Sequence, residues 1–164
     1  MTGILAAIAA SSGLIYASGL YGPSGVDVVP ISSSATNTST FTRTWIGYYR
    51  PATTASTNFS VTATWTSGYD AGTQYSRGYL WLGNTAKSGY NTGNANVSAN
   101  DNTASTNISV IAGQYYPIRL QWDANVPQVI DFLGFTYSTS GNFSLSIAGS
   151  TSPAVFYNSL TNGF

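Results

Sequence analysis

Cysteine, histidine and glutamate are all absent from the 164 residues. Without cysteine there is neither a disulfide framework nor a thiolate metal site. Without histidine the usual neutral-pH proton shuttle, the Ser/His nucleophile pair and the imidazole ligands of common zinc sites fall away. Charge is nearly as scarce: five basic and five acidic side chains, 6% of the sequence, sum to a formal charge of zero. Following a phosphate backbone needs a concentration of Lys and Arg that this chain lacks, so no nucleic acid partner is expected. The apolar run Ile4-Leu-Ala-Ala-Ile-Ala-Ala10 is too short for a membrane span and has no basic region before it, as a signal peptide would. No glycine run leads into the Lys-Ser/Thr pair of a phosphate-binding loop; Lys87 sits in Gly83-Asn-Thr-Ala-Lys-Ser-Gly89, a surface-loop sequence.

What remains is Ser, Thr, Asn, Gly and aromatic residues, in a chain long enough for one substantial core. Residues 1–40 read as an N-terminal arm and polar linker. Glycines at 3, 13, 19, 22 and 25 argue against a long helix there. Ile4, Leu5, Ile8, Leu14 and Leu20 would invite aggregation if all stayed exposed, so they are the candidate assembly arm, burying against sister or neighbouring subunits. Val26–Ile31 fits an edge strand or extended connector, since Pro30 cannot donate to a ladder. Ser32–Thr40 reads as the polar linker, residues 41–148 as the folded body, and residues 149–164 as a tail that either completes the body or meets a neighbour.

Within the body the period is close to two. Phe59, Val61, Ala63 and Trp65 alternate with Ser60, Thr62 and Thr64, as in a strand with one wet face. Asn107–Ile111 and Asn142–Ile147 repeat the code, and Thr44–Tyr49 adds an aromatic strand. The pattern predicts an all-β chain of antiparallel sheets. Tyr79-Leu-Trp-Leu82 and Tyr116–Trp122 are denser in large side chains, and Trp81 and Trp122 are expected to fill the space between the sheets.

The succession Trp45-Ile-Gly-Tyr-Tyr, Asn58-Phe-Ser-Val, Tyr79-Leu-Trp-Leu-Gly-Asn-Thr-Ala, an Asn-rich loop, Ile111-Ala-Gly-Gln-Tyr-Tyr-Pro-Ile-Arg and Phe143-Ser-Leu-Ser-Ile resembles the PA14/GLEYA superfamily over roughly residues 41–148. The resemblance implies an antiparallel PA14-like β-sandwich, here with an extended N-terminal arm. Fungal adhesins, bacterial surface proteins and glycosidase accessory domains use such a sandwich to bind carbohydrate. Similar modules occur in structural proteins of marine tailed phages, including cyanophages, and the ending Tyr157–Phe164 resembles those examples. Calcium-dependent members carry adjacent aspartates before the Leu-Trp strand, whereas Trp65–Gly72 holds only Asp70. Calcium favours six to eight oxygen ligands, so neither a metal nor another cofactor is expected.

Asp70, Asp101, Asp123 and Asp131 each lie in a turn-like context with no recognisable pairing, which disfavours glycoside hydrolysis. Two non-enzymatic readings follow. In the leading one the chain is a virion structural protein of a tailed phage, a tail, fibre or capsid-decorating component whose partners are itself and other virion proteins. In the alternative it is a carbohydrate-binding adhesin or lectin module, extracellular or at a cell surface, with a cell-surface glycan as partner. Tyr69, Asp70, Tyr75, Asn84 and Tyr90 are the candidate glycan-binding or interface residues, aromatic rings for pyranose faces and polar groups for hydroxyls.

Overall fold

A strand with alternate apolar residues must lay one face on another layer, and this chain does so by facing two sheets across a shared core. The computed structural model describes residues 14–16, 32–147 and 156–157, the two short outlying segments as backbone only. The elements are β1 (Leu14–Tyr16), β2 (Ser32–Thr36), β3 (Thr38–Tyr49), β4 (Ala55–Ser67), β5 (Tyr75–Leu82), α1 (Asn84–Lys87), β6 (Val97–Asn100), β7 (Asn102–Val110), β8 (Tyr116–Val126), β9 (Val129–Ile130), β10 (Thr136–Tyr137), β11 (Thr139–Ile147) and β12 (Phe156–Tyr157). The first sheet runs β1-β3-β8-β5-β6, with β12 also on β3; the second runs β2-β11-β4-β7; β9 and β10 form a separate hairpin. Among the described pairings only β1 with β3 is parallel. The antiparallel β-sandwich expected from the sequence is thus the observed fold.

The alternation sets the core. Phe59, Val61 and Ala63 are fully buried on β4, facing Leu80 of β5 and Leu120 and Trp122 of β8. Trp45 stacks on Phe143 at 4.9 Å, and Phe41 meets Trp122 edge-on at 5.0 Å. The Trp122 indole Nε1 donates to the buried Ser76 hydroxyl at 2.8 Å, so its one polar group is satisfied. Gly78 is required by this packing: a Cβ there would lie 2.6 Å from Val61 Cγ1 and 3.0 Å from Phe143 Cε2. On the outer face of the second sheet the side chains are short and polar, and they pair across strands. Asn58 Nδ2 donates to Asn107 Oδ1 at 2.9 Å, and the hydroxyls of Thr62 and Thr103 meet at 2.8 Å.

The structure bears on three expectations. Ser32–Thr40 is not a linker: β2 pairs with β11 from Ser32↔Ser144 to Thr36↔Ser140, and β3 begins at Thr38. Asn37, at φ +50°, turns the corner between them, and its side-chain oxygen accepts the Thr139 N–H at 3.0 Å. Arg43 ties the same edge together, its guanidinium donating to Ser33 Oγ and Ser34 O while lying over the rings of Phe41 and Trp122. Burial there holds the Arg43 pKa below its ordinary value. Second, Leu14 lies in β1, whose backbone aligns beside Thr42 of the chain's own β3, whereas Ile4, Leu5, Ile8, Leu20 and Val26–Ile31 lie outside the described residues. Third, Trp81 does not fill the space between the sheets. Strand parity sends Leu80 and Leu82 inward and Tyr79 and Trp81 outward, where they build a second small core with Ala86.

Candidate binding site

The five residues singled out from the sequence fall at the two ends of β5. Tyr69 and Asp70 precede it, Tyr75 begins it, and Asn84 and Tyr90 follow it. The strand has eight residues, so the two groups are separated by roughly 25 Å at ~3.3 Å per residue. They cannot form one shallow face.

At the far end of β5 the Asn-rich segment, expected to be a loop to Asn107, holds α1, a 3-10 turn at Thr92–Asn94, and the strands β6 and β7 up to that point. The amides of Asn91, Asn94 and Asn96 are used internally. Asn91 Oδ1 accepts the Gly93 N–H at 3.0 Å, and Asn94 Oδ1 accepts both the Asn91 N–H at 3.0 Å and the Trp81 indole Nε1 at 2.9 Å. Asn96 Oδ1 accepts the Leu82 N–H at 2.7 Å. Tyr90 caps the small core: its ring meets Trp81 at 5.7 Å, and the Arg119 guanidinium sits 3.7 Å from its centroid. Arg119 Nε also donates to the Ala86 carbonyl near the end of α1 at 3.3 Å, and burial lowers the Arg119 pKa. Asn84 opens α1 without a side-chain cap. Asn84 and Tyr90 are both exposed at this end.

At the near end, residues 68–74 form a loop held from below by the buried Gln74. Its Oε1 accepts the Ala71 and Thr73 N–H groups, each at 3.2 Å, while its Nε2 donates to the Tyr69 carbonyl. Asp70 Oδ1 accepts the Gly72 N–H at 2.7 Å, and Gly72 has φ +71°, which glycine adopts without strain. Tyr69 stacks on Tyr137 of the β9–β10 hairpin, with centroids 5.6 Å apart and planes at 24°. Gly68 permits that approach, since a Cβ would stand 2.9 Å from Tyr137 Cδ1. Asn125 Nδ2, at the end of β8, donates to the Thr73 carbonyl at 2.9 Å. Tyr75 faces the outer side of the first sheet, beneath the Arg77 guanidinium at 4.7 Å.

The hairpin is the part of this end that the sequence reading passed over. Asp131 builds its turn: Oδ1 accepts the N–H groups of Leu133 and Phe135, each at 2.9 Å, and Oδ2 accepts the Tyr137 hydroxyl at 3.2 Å. That hydrogen bond, which needs the phenolic proton, raises the Tyr137 pKa, with burial adding in the same direction. Beyond the turn Ile130, Phe132, Leu133 and Phe135 stand in solvent, Phe132 at 87% of its full exposure. The run Val129-Ile-Asp-Phe-Leu-Gly-Phe135, an Asp and a Gly set among large apolar residues, is the signal that could have found it.

The remaining described carboxylates, Asp101 and Asp123, are engaged in hydrogen bonds within the sandwich. Asp101 Oδ1 accepts the Ser76 N–H, and Asp123 accepts from Thr42 Oγ1 at 2.8 Å and from Gln121 Nε2 at 2.9 and 2.8 Å. Among the described residues no group of three or more carboxylates forms a metal cage.

Against known proteins, the GLEYA domain family matches residues 41–137. Among solved structures the chain is similar to the epithelial adhesin 6 A domain of Candida glabrata, solved in complex with Galβ1-3GlcNAc. The identity is 16% and the TM-score 0.50, covering 82% of this chain and 65% of that domain. It is also similar to the epithelial adhesin 9 A domain of the same yeast, solved with Galβ1-4GlcNAc, at 14% identity and TM-score 0.46, covering 76% of this chain and 55% of that one. The chain therefore spans just under two thirds of the adhesin domain it matches first. No curated protein sequence matches it.

These findings correct the phage reading. The superfamily likeness stands, but the match is to the GLEYA domain, and the solved structure similar in fold at TM-score 0.50 is a fungal adhesin domain. A virion structural role, virion partners and a virion location are therefore withdrawn. The motifs carrying the resemblance specify strands of the sandwich, Tyr79–Leu82 and Tyr116–Arg119, and say nothing about a particle; of the ending Tyr157–Phe164 only Tyr157 is described.

Proposed function

The chain belongs to the GLEYA domain family, and from that premise we propose that it is a non-catalytic carbohydrate-binding module of the adhesin or lectin kind, working outside the cell or at its surface. The observation that carries this reading is the stack of Tyr69 on Tyr137, which joins the residue 68–74 loop to the base of the hairpin. Two half-buried phenol rings beside Asp70 offer a pyranose an apolar face and nearby acceptors, a combination sugar sites require. The similar adhesin domain was solved with a galactose-containing disaccharide, which supports a neutral glycan as the ligand class. Tyr69 and Asp70 are the proposed contacts, with Tyr137 added and Tyr75 at the margin. Asn84 and Tyr90 are assigned to the scaffold.

Binding is proposed to need no calcium. Asp70 is the one carboxylate in its loop and already accepts the Gly72 N–H, leaving little fixed charge to offset dehydration of the ion. A glycan array probed with the full chain, with and without chelator, tests both statements. Binding should survive chelation and fall at least tenfold in Tyr69→Ala. Silence of the wild-type chain on every neutral and amino-sugar glycan would overturn the reading, as would undiminished binding by the variant. A strong calcium heat in calorimetric titration that vanishes in Asp70→Ala would overturn the metal statement alone.

A further inference from the structure

The hairpin tip has a chemistry of its own that the sugar reading does not use. Of the five N–H groups in residues 131–135, those of Asp131, Leu133, Gly134 and Phe135 end on acceptors inside the hairpin. Asp131 is the sole charged residue of the segment 127–136, and its carboxylate is taken by two backbone N–H groups and the Tyr137 hydroxyl. Around this closed network Ile130, Phe132, Leu133 and Phe135 are 66%, 87%, 67% and 62% exposed. The tip therefore presents an apolar surface whose one charged group is held by hydrogen bonds within the hairpin. A sugar, which needs donors and acceptors for its hydroxyls, finds few there.

We propose that this tip inserts into the apolar boundary of a lipid bilayer. Entry into hydrocarbon is costly for any backbone group left without a partner, and here most of the donors are already paired. Tyr69 and Tyr137, each a ring with a polar end, lie at the base where the headgroup level would fall. A second copy of the chain is the poorer occupant. The tip exposes on the order of 500 Å² of apolar surface, the size of a functional patch but short of the roughly 800 Å² per partner in a stable protein interface. The one charge of the tip, the Asp131 carboxylate, is turned onto two N–H groups and the Tyr137 hydroxyl, and the apolar side chains around it fit a lipid phase better than a protein rim, which is polar. The inference goes beyond carbohydrate recognition and does not depend on it.

Flotation of the full chain with vesicles of phosphatidylcholine alone, which display no glycan, separates the two. The wild-type chain should float, and the double variant Phe132→Ser with Leu133→Ser should lose at least tenfold in partitioning while keeping its thermal midpoint. The apolar segment 4–10 is common to both proteins, so the difference reads the tip. Phe132→Trp supplies a second reading: brominated phosphatidylcholine should quench the added tryptophan. A wild-type chain that stays in the aqueous fraction would overturn the proposal, as would equal flotation of the double variant or an unquenched Phe132→Trp. Concentration-dependent dimerisation abolished by the double variant would overturn it in favour of a second copy.

Discussion

The segment from Gly83 to Asn96 is built mainly of amides, hydroxyls and glycines, yet it covers an apolar surface, sealing Trp81 to 1% exposure. The hairpin from Val129 to Tyr137 is built mainly of large apolar residues, yet it projects most of them into solvent. Both are fixed by side-chain acceptors taking backbone N–H groups: Asn91, Asn94 and Asn96 in one, Asp131 in the other. Composition thus decides how each segment is stapled. Which way its apolar groups point is decided by what lies beneath, the outer face of β5 in the first case and open solvent in the second.

The largest expected effect tests the covered side. Trp81→Ala should cost about 3–5 kcal/mol in chemical denaturation, the range for an aromatic removed from a packed site, although this tryptophan lies outside the main core. A loss below ~1 kcal/mol would mean that the Gly83–Asn96 segment lies loosely on the sheet. Next, Gly78→Val should lower stability by roughly 1–3 kcal/mol or more, because the branched side chain collides with Val61 and Phe143 across the core. Asn94→Ala, which leaves the Asn91 N–H without its acceptor, should cost about 1–3 kcal/mol and speed amide exchange from Asn91 onward.

A pH series probes the hairpin. Tyr137 has a raised pKa, so its contribution to stability is fully present below the unfolded tyrosine value of about 10 and is lost as pH rises through the higher folded value. Tyr49 and Tyr79 are raised by burial and act in the same direction. The comparison is therefore between the wild-type chain and Tyr137→Phe: the gap between their urea midpoints should be constant from pH 7 to 9 and should shrink above pH 10. A gap independent of pH would sink the Asp131 hydrogen bond. Smallest of all, Phe132→Ala should shift stability by no more than about 0.5 kcal/mol, as expected of a side chain with little to lose on unfolding.

Much of the sandwich can be read in the sequence because β4, β8 and β11 alternate cleanly: Phe59, Val61 and Ala63 announce their face, as do Phe143 and Leu145. β2 is hidden because Ser-Ser-Ser-Ala-Thr carries a single buried residue, Ala35, and its strand state comes from pairing with β11. β6 is hidden because Val97 and Ala99 are two apolar residues in a field of amides. Trp81 was misplaced because Tyr79-Leu-Trp-Leu82 is large on both faces, and size concealed the parity that separates Leu80 from Trp81. Of the proposed site, Asp70 and its Gly72 turn are local and visible. The contact of Tyr69 with Tyr137 joins positions far apart in the chain and depends on how β4, β8 and β11 are arranged. The exposure of Phe132 is equally non-local, since only the finished sheets show that no described residue covers it.

The outer face of the second sheet holds its strands with hydroxyl and amide pairs, Asn58 to Asn107, Thr62 to Thr103 and Thr66 to Ser140, with Ser60, Ser105, Asn142 and Ser144 at intervening positions. None of these groups ionises between mild acid and mild alkali, and none carries a charge for counterions to screen. That wall of the molecule offers electrolyte nothing to screen: its cross-strand pairs should hold equally in dilute freshwater and at moderate salt.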